Sequence, residues 1–229
     1  MAINGLDTEL LHTLLNGDVV QVETEVRGSQ SLDAFSGAVS LVPSSPDDGH
    51  VIPHGVDLEM FAPESKERAQ RRLGWDRGKR HVLFPYETAR EEKDFPRTKR
   101  LVAATRERLR APVVLHTPHP VPHGSMPVYL NASDALLVTS TSEGSPNVVK
   151  EALACNVPVV STDVGDVRRL VDGIAQSHVR RSDSDLVDAL VSVLEAGRRA
   201  DGRSRAEDLS VGRMADRILA VYERILVDP

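Results

Sequence analysis

Two glutamates with seven residues between them, Glu143 and Glu151, frame the part of the chain best suited to chemistry. They stand in residues 139–156, TSTSEGSPNVVKEALACN. Residues 135–140 ahead of them form a short apolar run, a candidate buried strand. Ser145 suits a helix N-cap, and Pro146 suits the first helical position, where a missing N–H costs nothing. The helix carries Val148, Val149, Ala152 and Leu153. It is expected to stop at Asn156, which tolerates a left-handed cap, because Val157-Pro158 cannot continue it. A strand end, a turn and a helix start in this order make an anion site over Gly144, Ser145, Pro146 and Asn147: free N–H groups point outward and the helix dipole favours negative charge. Glu151 lies roughly 9 Å beyond the cap at about 1.5 Å per residue. Carboxylates on either side of a phosphate pocket suit a ligand with hydroxyls at both ends, such as a nucleotide sugar. An ordinary helix start with a solvated Glu151 satisfies the same spacing.

These residues carry a resemblance. Glu143 and Glu151, and the whole stretch from Ser142 to Thr162, resemble the paired-glutamate segment of retaining GT-B glycosyltransferases of family 4. The resemblance runs from about Val51 to Leu226 and corresponds to the family's C-terminal, donor-binding domain. It implies an α/β fold with a Rossmann-like doubly wound parallel sheet, one half of a GT-B fold, plus a short N-terminal appendage. The expected division is residues 1–50 as a partial or edge element and residues 51–229 as the nucleotide-sugar domain. Residues 1–50 contain no counterpart of the glycine-rich loop or the histidine of the family's other domain.

Composition narrows the classes. A chain of 229 residues with 40% hydrophobic content builds one sizeable core, and with 3% aromatic content that core is mostly Val, Leu and Ala. A net charge of −6 argues against general nucleic-acid binding. Cys155 is the single cysteine, so no disulfide framework or cysteine-based metal site is expected. With no signal peptide and no apolar run near ~18 residues, the chain reads as cytoplasmic, and membrane contact has no support in the sequence.

Short apolar strands alternate with helices from His81 onward. Expected strands are residues 82–85, 113–116, 135–140 and 158–162. Expected helices are residues 65–73, 96–109, 126–131, 146–155, 167–171, 184–196 and 212–226. Such an alternation predicts a parallel sheet covered on both faces, with ligands outside the carboxyl ends of its strands. Ahead of it, residues 7–15 read as a short amphipathic helix, 19–26 and 38–42 as strands, and 43–49 as a polar loop. Residues 173–184 read as polar.

Four further segments enter through the resemblance. Residues 51–57 (VIPHGVD) are similar to the family's hinge motif, with His54 in place of its usual Asn and with Gly55 at the cleft. Residues 86–95 (YETAREEKDF) match the diphosphate-binding loop: Lys93 aligns with the family's Lys, the Arg position falls on Thr88, and Arg90 is the shifted substitute. Residues 116–124 hold His116, His119 and His123 among three prolines. That spacing invites a metal, but a stiff loop without a carboxylate makes it the weaker reading, and the family's equivalent loop, with Thr117, passes the nucleobase. In the loop at residues 163–170, Arg169 stands where the family has Glu.

The resemblance implies sugar transfer with retention from a nucleotide-diphosphate sugar to an unknown acceptor, without a metal or other cofactor. Glu143 and Lys93 would be catalytic. Glu151, Arg90, Gly144, Ser145, Pro146, Asn147, Thr117 and Gly55 would bind the donor. The alternative is a non-catalytic nucleotide-sugar-binding module, or a split subunit whose acceptor side comes from a homodimer mate or a partner chain.

Overall fold

The computed structural model describes residues 38–41, 50–109 and 111–227, with side chains over 52–109 and 111–221. The chain divides into two units, Met1–Phe35 and Ser36–Pro229, and all described residues belong to the second. The readings of residues 7–15 and 19–26 therefore lie outside the described residues.

β1 (Ala38–Leu41) pairs antiparallel with β2 (His50–Pro53). The main sheet has five parallel strands: β3 (Arg80–Leu83), β4 (Val113–His116), β5 (Ala135–Val138), β6 (Val159–Thr162) and β7 (His178–Arg180), in the order β4-β3-β5-β6-β7. The helices are α1 (Lys66–Leu73), α2 (Phe95–Leu109), α3 (Met126–Ala132), α4 (Asn147–Ala154), α5 (Val167–Val171), α6 (Asp183–Ala196), α7 (Arg203–Glu207) and α8 (Val211–Val227). Helices on both sides of a parallel sheet are the doubly wound α/β arrangement.

Alternation along each strand builds two cores. Val82, Ala135, Leu137 and Val160 bury against Leu101 and Val102 of α2 and Leu186, Leu190 and Leu194 of α6. Leu83, Leu136, Val138 and Val159 bury on the opposite face against Val149, Ala152 and Leu153 of α4, Leu170 of α5 and Ala206 of α7. Each fully buried Val or Leu contributes about 1.5–3 kcal/mol. This two-sided burial fixes the strands rigidly, so the loops at their carboxyl ends are held in place.

The structure differs from the sequence expectations in three elements. β7 lies in the stretch read as polar, because only Val179 of its three residues turns into the core. α7, five residues long, has no full helical period to read. α4 begins at Asn147, and Pro146, not Ser145, holds the N-cap position.

Candidate functional site

β3 and β5 are neighbours, with β4 outside one and β6 outside the other, so the chain reverses its winding between them. A crevice opens at the carboxyl ends of strands at such a point. The loop after β3 carries Lys93, at the end of the 3-10 turn Glu91–Lys93, and the loop after β5 carries Glu143. The Lys93 Nζ donates to Glu143 Oε1 at 2.6 Å, and each side chain is only 6% exposed. Ser140 Oγ donates to the same oxygen at 2.7 Å. Two further bonds lock the loops together: Thr139 Oγ1 to the Lys93 carbonyl, and the Thr141 N–H to the Glu92 carbonyl, both at 2.8 Å. The Lys93 ammonium also stands 4.6 Å from the Tyr86 ring centroid, a cation–π distance.

The start of α4 follows directly. Pro146 is extended and no side chain caps the helix. The Ser145 hydroxyl, expected as the cap, donates instead to Asp166 Oδ2 at 3.0 Å. Gly165 has φ +49°, and a Cβ there would stand 2.2 Å from the Gly144 carbonyl oxygen, so only glycine lets the 163–166 loop close onto Gly144. The next residue's N–H, on Asp166, donates to that carbonyl at 3.0 Å. Asn156 adopts φ +54° past the end of α4, as its type predicts.

Glu151, on the second turn of α4, is 8% exposed. Its Oε1 lies 3.0 Å from Nε2 of His123, whose side chain is 66% exposed. The hydrogen bond to that carboxylate raises the His123 pKa against the opposing effect of burial. Lys150 is fully buried; its Nζ donates to the His54 carbonyl at 2.9 Å and to Asn147 Oδ1 at 3.2 Å. Burial pulls its pKa down to about 8. His54 is held below the usual histidine range by its own burial and then by Lys150.

The structure thus brings Lys93, Glu143, Gly144, Ser145, Pro146, Asn147 and Glu151 to one end of the sheet. Three other expected residues make different contacts. Arg90 is half exposed and bonded through Nε to Glu92 Oε1 at 2.6 Å. Thr117 offers its carbonyl to the His119 N–H at 2.8 Å. Gly55 serves packing, since a Cβ there would lie 2.5 Å from the Val211 Cα. Among the described residues, no side-chain hydrogen bond or ion pair joins these three to Lys93 or Glu143; the Lys93 N–H donates to the Arg90 carbonyl at 3.1 Å. The histidines of the 116–124 loop also disperse: His116 bonds His81 at 2.9 Å and His123 bonds Glu151. Among the described residues no group of three or more His, Cys, Asp or Glu is placed to hold a metal ion, and no helix is long and apolar enough to cross a membrane.

Sequence reasoning passed over Tyr86 and Lys150. A tyrosine three residues after the end of β3, and a lysine inside an otherwise apolar helical face, were the available signals. His123 was read for a base or a metal because its partner lies 28 residues away.

Comparison with known proteins finds relatives in sequence and in fold. Residues 92–196 match the family model described as glycosyl transferases group 1. TuaC of Bacillus subtilis (strain 168), a glycosyltransferase assigned to teichuronic acid biosynthesis, is 33% identical over 138 residues, covering 54% of this chain and 35% of the relative. The D-inositol 3-phosphate glycosyltransferase of Arthrobacter sp. (strain FB24) is 28% identical, covering 61% of this chain and 41% of the relative. The chain spans half or less of the length of these two curated relatives. Among solved structures, a sucrose-phosphate synthase from Thermosynechococcus elongatus superposes with a TM-score of 0.66 at 20% identity, over 78% of this chain and 53% of that one. Anabaena HepE, solved with UDP and glucose, gives 0.56 at 16% identity, over 76% and 57%. Residues 92–196 are thus similar to the glycosyl transferases group 1 family, and the described chain has a Rossmann-like fold of the GT-B type.

Proposed function

We propose that the site binds a nucleotide-diphosphate sugar and that the chain is the donor-binding part of a retaining glycosyltransferase. The observation that carries this is the buried Lys93–Glu143 pair at the switch point, set against the uncapped start of α4. In this reading Glu143 takes the sugar hydroxyls and Glu151 those of the ribose. Lys93 and the N–H groups at the start of α4 take the diphosphate. Negative charge grows on the leaving diphosphate in the transition state, and a preoriented ammonium and helix dipole stabilise it there without reorganising. Retention and the donor class rest on the resemblance of the Glu143–Glu151 segment and on relatives whose names are those of glycosyltransferases. A structural neighbour that holds UDP and glucose supports the same donor class. A second reading keeps this site but takes the acceptor side from another chain or segment; the half-length match to the relatives favours it.

Calorimetric titration with UDP-, GDP- and ADP-sugars tests the donor reading on wild type and Glu151→Ala. One donor should bind in the micromolar range, about −8 kcal/mol, and at least ten-fold more weakly to the variant. Binding of none overturns the reading. The anomeric configuration of any product, read by NMR, tests retention.

A further inference from the structure

We propose that Tyr86 is a ligand-contacting residue of this site, its hydroxyl donating a hydrogen bond to a phosphoryl oxygen of the bound diphosphate. The inference rests on the donor reading above and adds a residue that the glutamate motif does not contain.

Three buried side-chain oxygens have no hydrogen-bond partner among the described residues: Glu64 Oε1, the Tyr86 hydroxyl and Asp166 Oδ1. Glu64 Oε1 lies 2.8 Å from the Arg68 guanidinium, so it is ion-paired. Asp166 already accepts from Ser145 and Arg169 through its other oxygen. The Tyr86 hydroxyl alone belongs to a side chain that makes no polar bond at all. A buried hydroxyl left unpaired costs about 1–3 kcal/mol, and such a group persists where function uses it.

Its placement points to what it meets. Tyr86 follows β3 by three residues, at the carboxyl end of the sheet. Its ring packs edge-on against Phe84 at 5.2 Å between centroids and lies under the Lys93 ammonium, so its direction is set by the core. Burial first, then the negative charges of Glu143 and Glu151, raise the Tyr86 pKa well above the usual phenol value. The phenol therefore keeps its proton and acts as a donor in search of an acceptor. Against those two carboxylates stand the Lys93 ammonium over the ring and the Arg90 guanidinium, whose charge also reaches the hydroxyl; these cations draw anionic oxygen to that spot, and this favours a phosphoryl oxygen over a sugar hydroxyl.

Tyr86→Phe removes the hydroxyl and nothing else. Thermal unfolding should be unchanged or slightly raised, because an unpaired polar atom is lost. The nucleotide sugar that wild type binds, and its matching nucleoside diphosphate, should each lose about five-fold in affinity, the worth of one hydrogen bond. Unchanged affinity in the variant overturns the proposal while the donor reading stands. A loss confined to the nucleotide sugar overturns the phosphoryl assignment. If wild type binds no nucleotide sugar, the donor reading falls and this proposal with it.

Discussion

At the amino end of the sheet, buried polar groups meet protein partners. Asp134 accepts from Lys66 Nζ and from the His81 N–H, each at 2.7 Å. Asn131 accepts the Glu64 N–H and donates to the Ala62 and Pro127 carbonyls. Arg199 donates to the Ser133 and Asn131 carbonyls. A cavity of about 260 Å³ opens there, lined by Lys66, Asp134 and Arg199, whose charges are already engaged. At the carboxyl end one such group is left over, the Tyr86 hydroxyl, which has no partner among the described residues, while the buried Lys150 ammonium is held by two neutral acceptors. One sheet thus carries a closed polar network at one end and an open one at the other. The closed network holds the fold, and the open one is available to a ligand.

The largest expected effect separates the two ends. Asp134→Ala leaves the Lys66 ammonium and a buried N–H unpaired. That should cost about 3–5 kcal/mol in urea unfolding, with nucleotide-sugar affinity unchanged in the folded protein. Lys93→Met should reverse the pattern. Glu143 keeps its bond from Ser140, so the stability loss should be about 1–2 kcal/mol. Donor affinity should fall by about 100-fold, since charged hydrogen bonds are lost. Equal stability costs with no change in affinity would make Lys93–Glu143 a structural pair and end the contrast.

A smaller effect sharpens it. The Lys150 pKa of about 8 in the fold lies below its value of 10.5 outside it. Between those values the unfolded chain binds more protons, so stability rises with pH across the window and is lost as pH falls through about 8. At pH 7 the charged amine costs about 3 kcal/mol, partly offset by its two hydrogen bonds. Lys150→Met should therefore be more stable than wild type at pH 7, by up to about 2 kcal/mol, and should lose that advantage by pH 10. Lys66→Met, which breaks the ion pair with Asp134, should destabilise at both pH values. Chemical denaturation of both variants at the two pH values checks this, and parallel behaviour would show that Lys150 is an ordinary buried anchor.

Much of the fold was legible for a physical reason. β4 and α5 occur at the expected residues, 113–116 and 167–171: β4 is a short apolar run after Pro112, and α5 places Val167, Leu170 and Val171 at helical spacing. β7 was not, since a three-residue edge strand with one buried side chain has no readable period. At the site, Glu143 and Glu151 were singled out by their spacing, and Lys93 by the resemblance of its loop to the family. Their partners were not: Lys93 and Glu143 are 50 residues apart, Lys150 and His54 are 96 apart, and such pairings arise only from the strand order. The N-cap was misassigned because Ser145 has a competing acceptor, Asp166, 21 residues away.

The smallest expected effect concerns a histidine pair flanking β3 and β4. Trp75 stacks on His116 at 3.5 Å and on His81 at 4.8 Å between ring centroids. His81 Nε2 lies 2.8 Å from the Asp76 carbonyl, which can only accept, so that nitrogen carries the proton. Nδ1 of His81 must then accept from Nε2 of His116, 2.9 Å away. Burial, then the nearby His81, lowers the His116 pKa to about 4. Its unfolded value is about 6.5, so the unfolded chain binds more protons between the two, and this contribution is complete above pH 6.5 and lost as pH falls towards 4. His116 is only half buried, so the loss should be about 1–2 kcal/mol. His116→Gln keeps an N–H donor without the titration. It should unfold more easily than wild type at pH 7, having lost the stacking, and the gap should narrow by pH 4.5. Urea curves that keep a constant gap would show that the pair is insensitive to acid and that its role is packing alone.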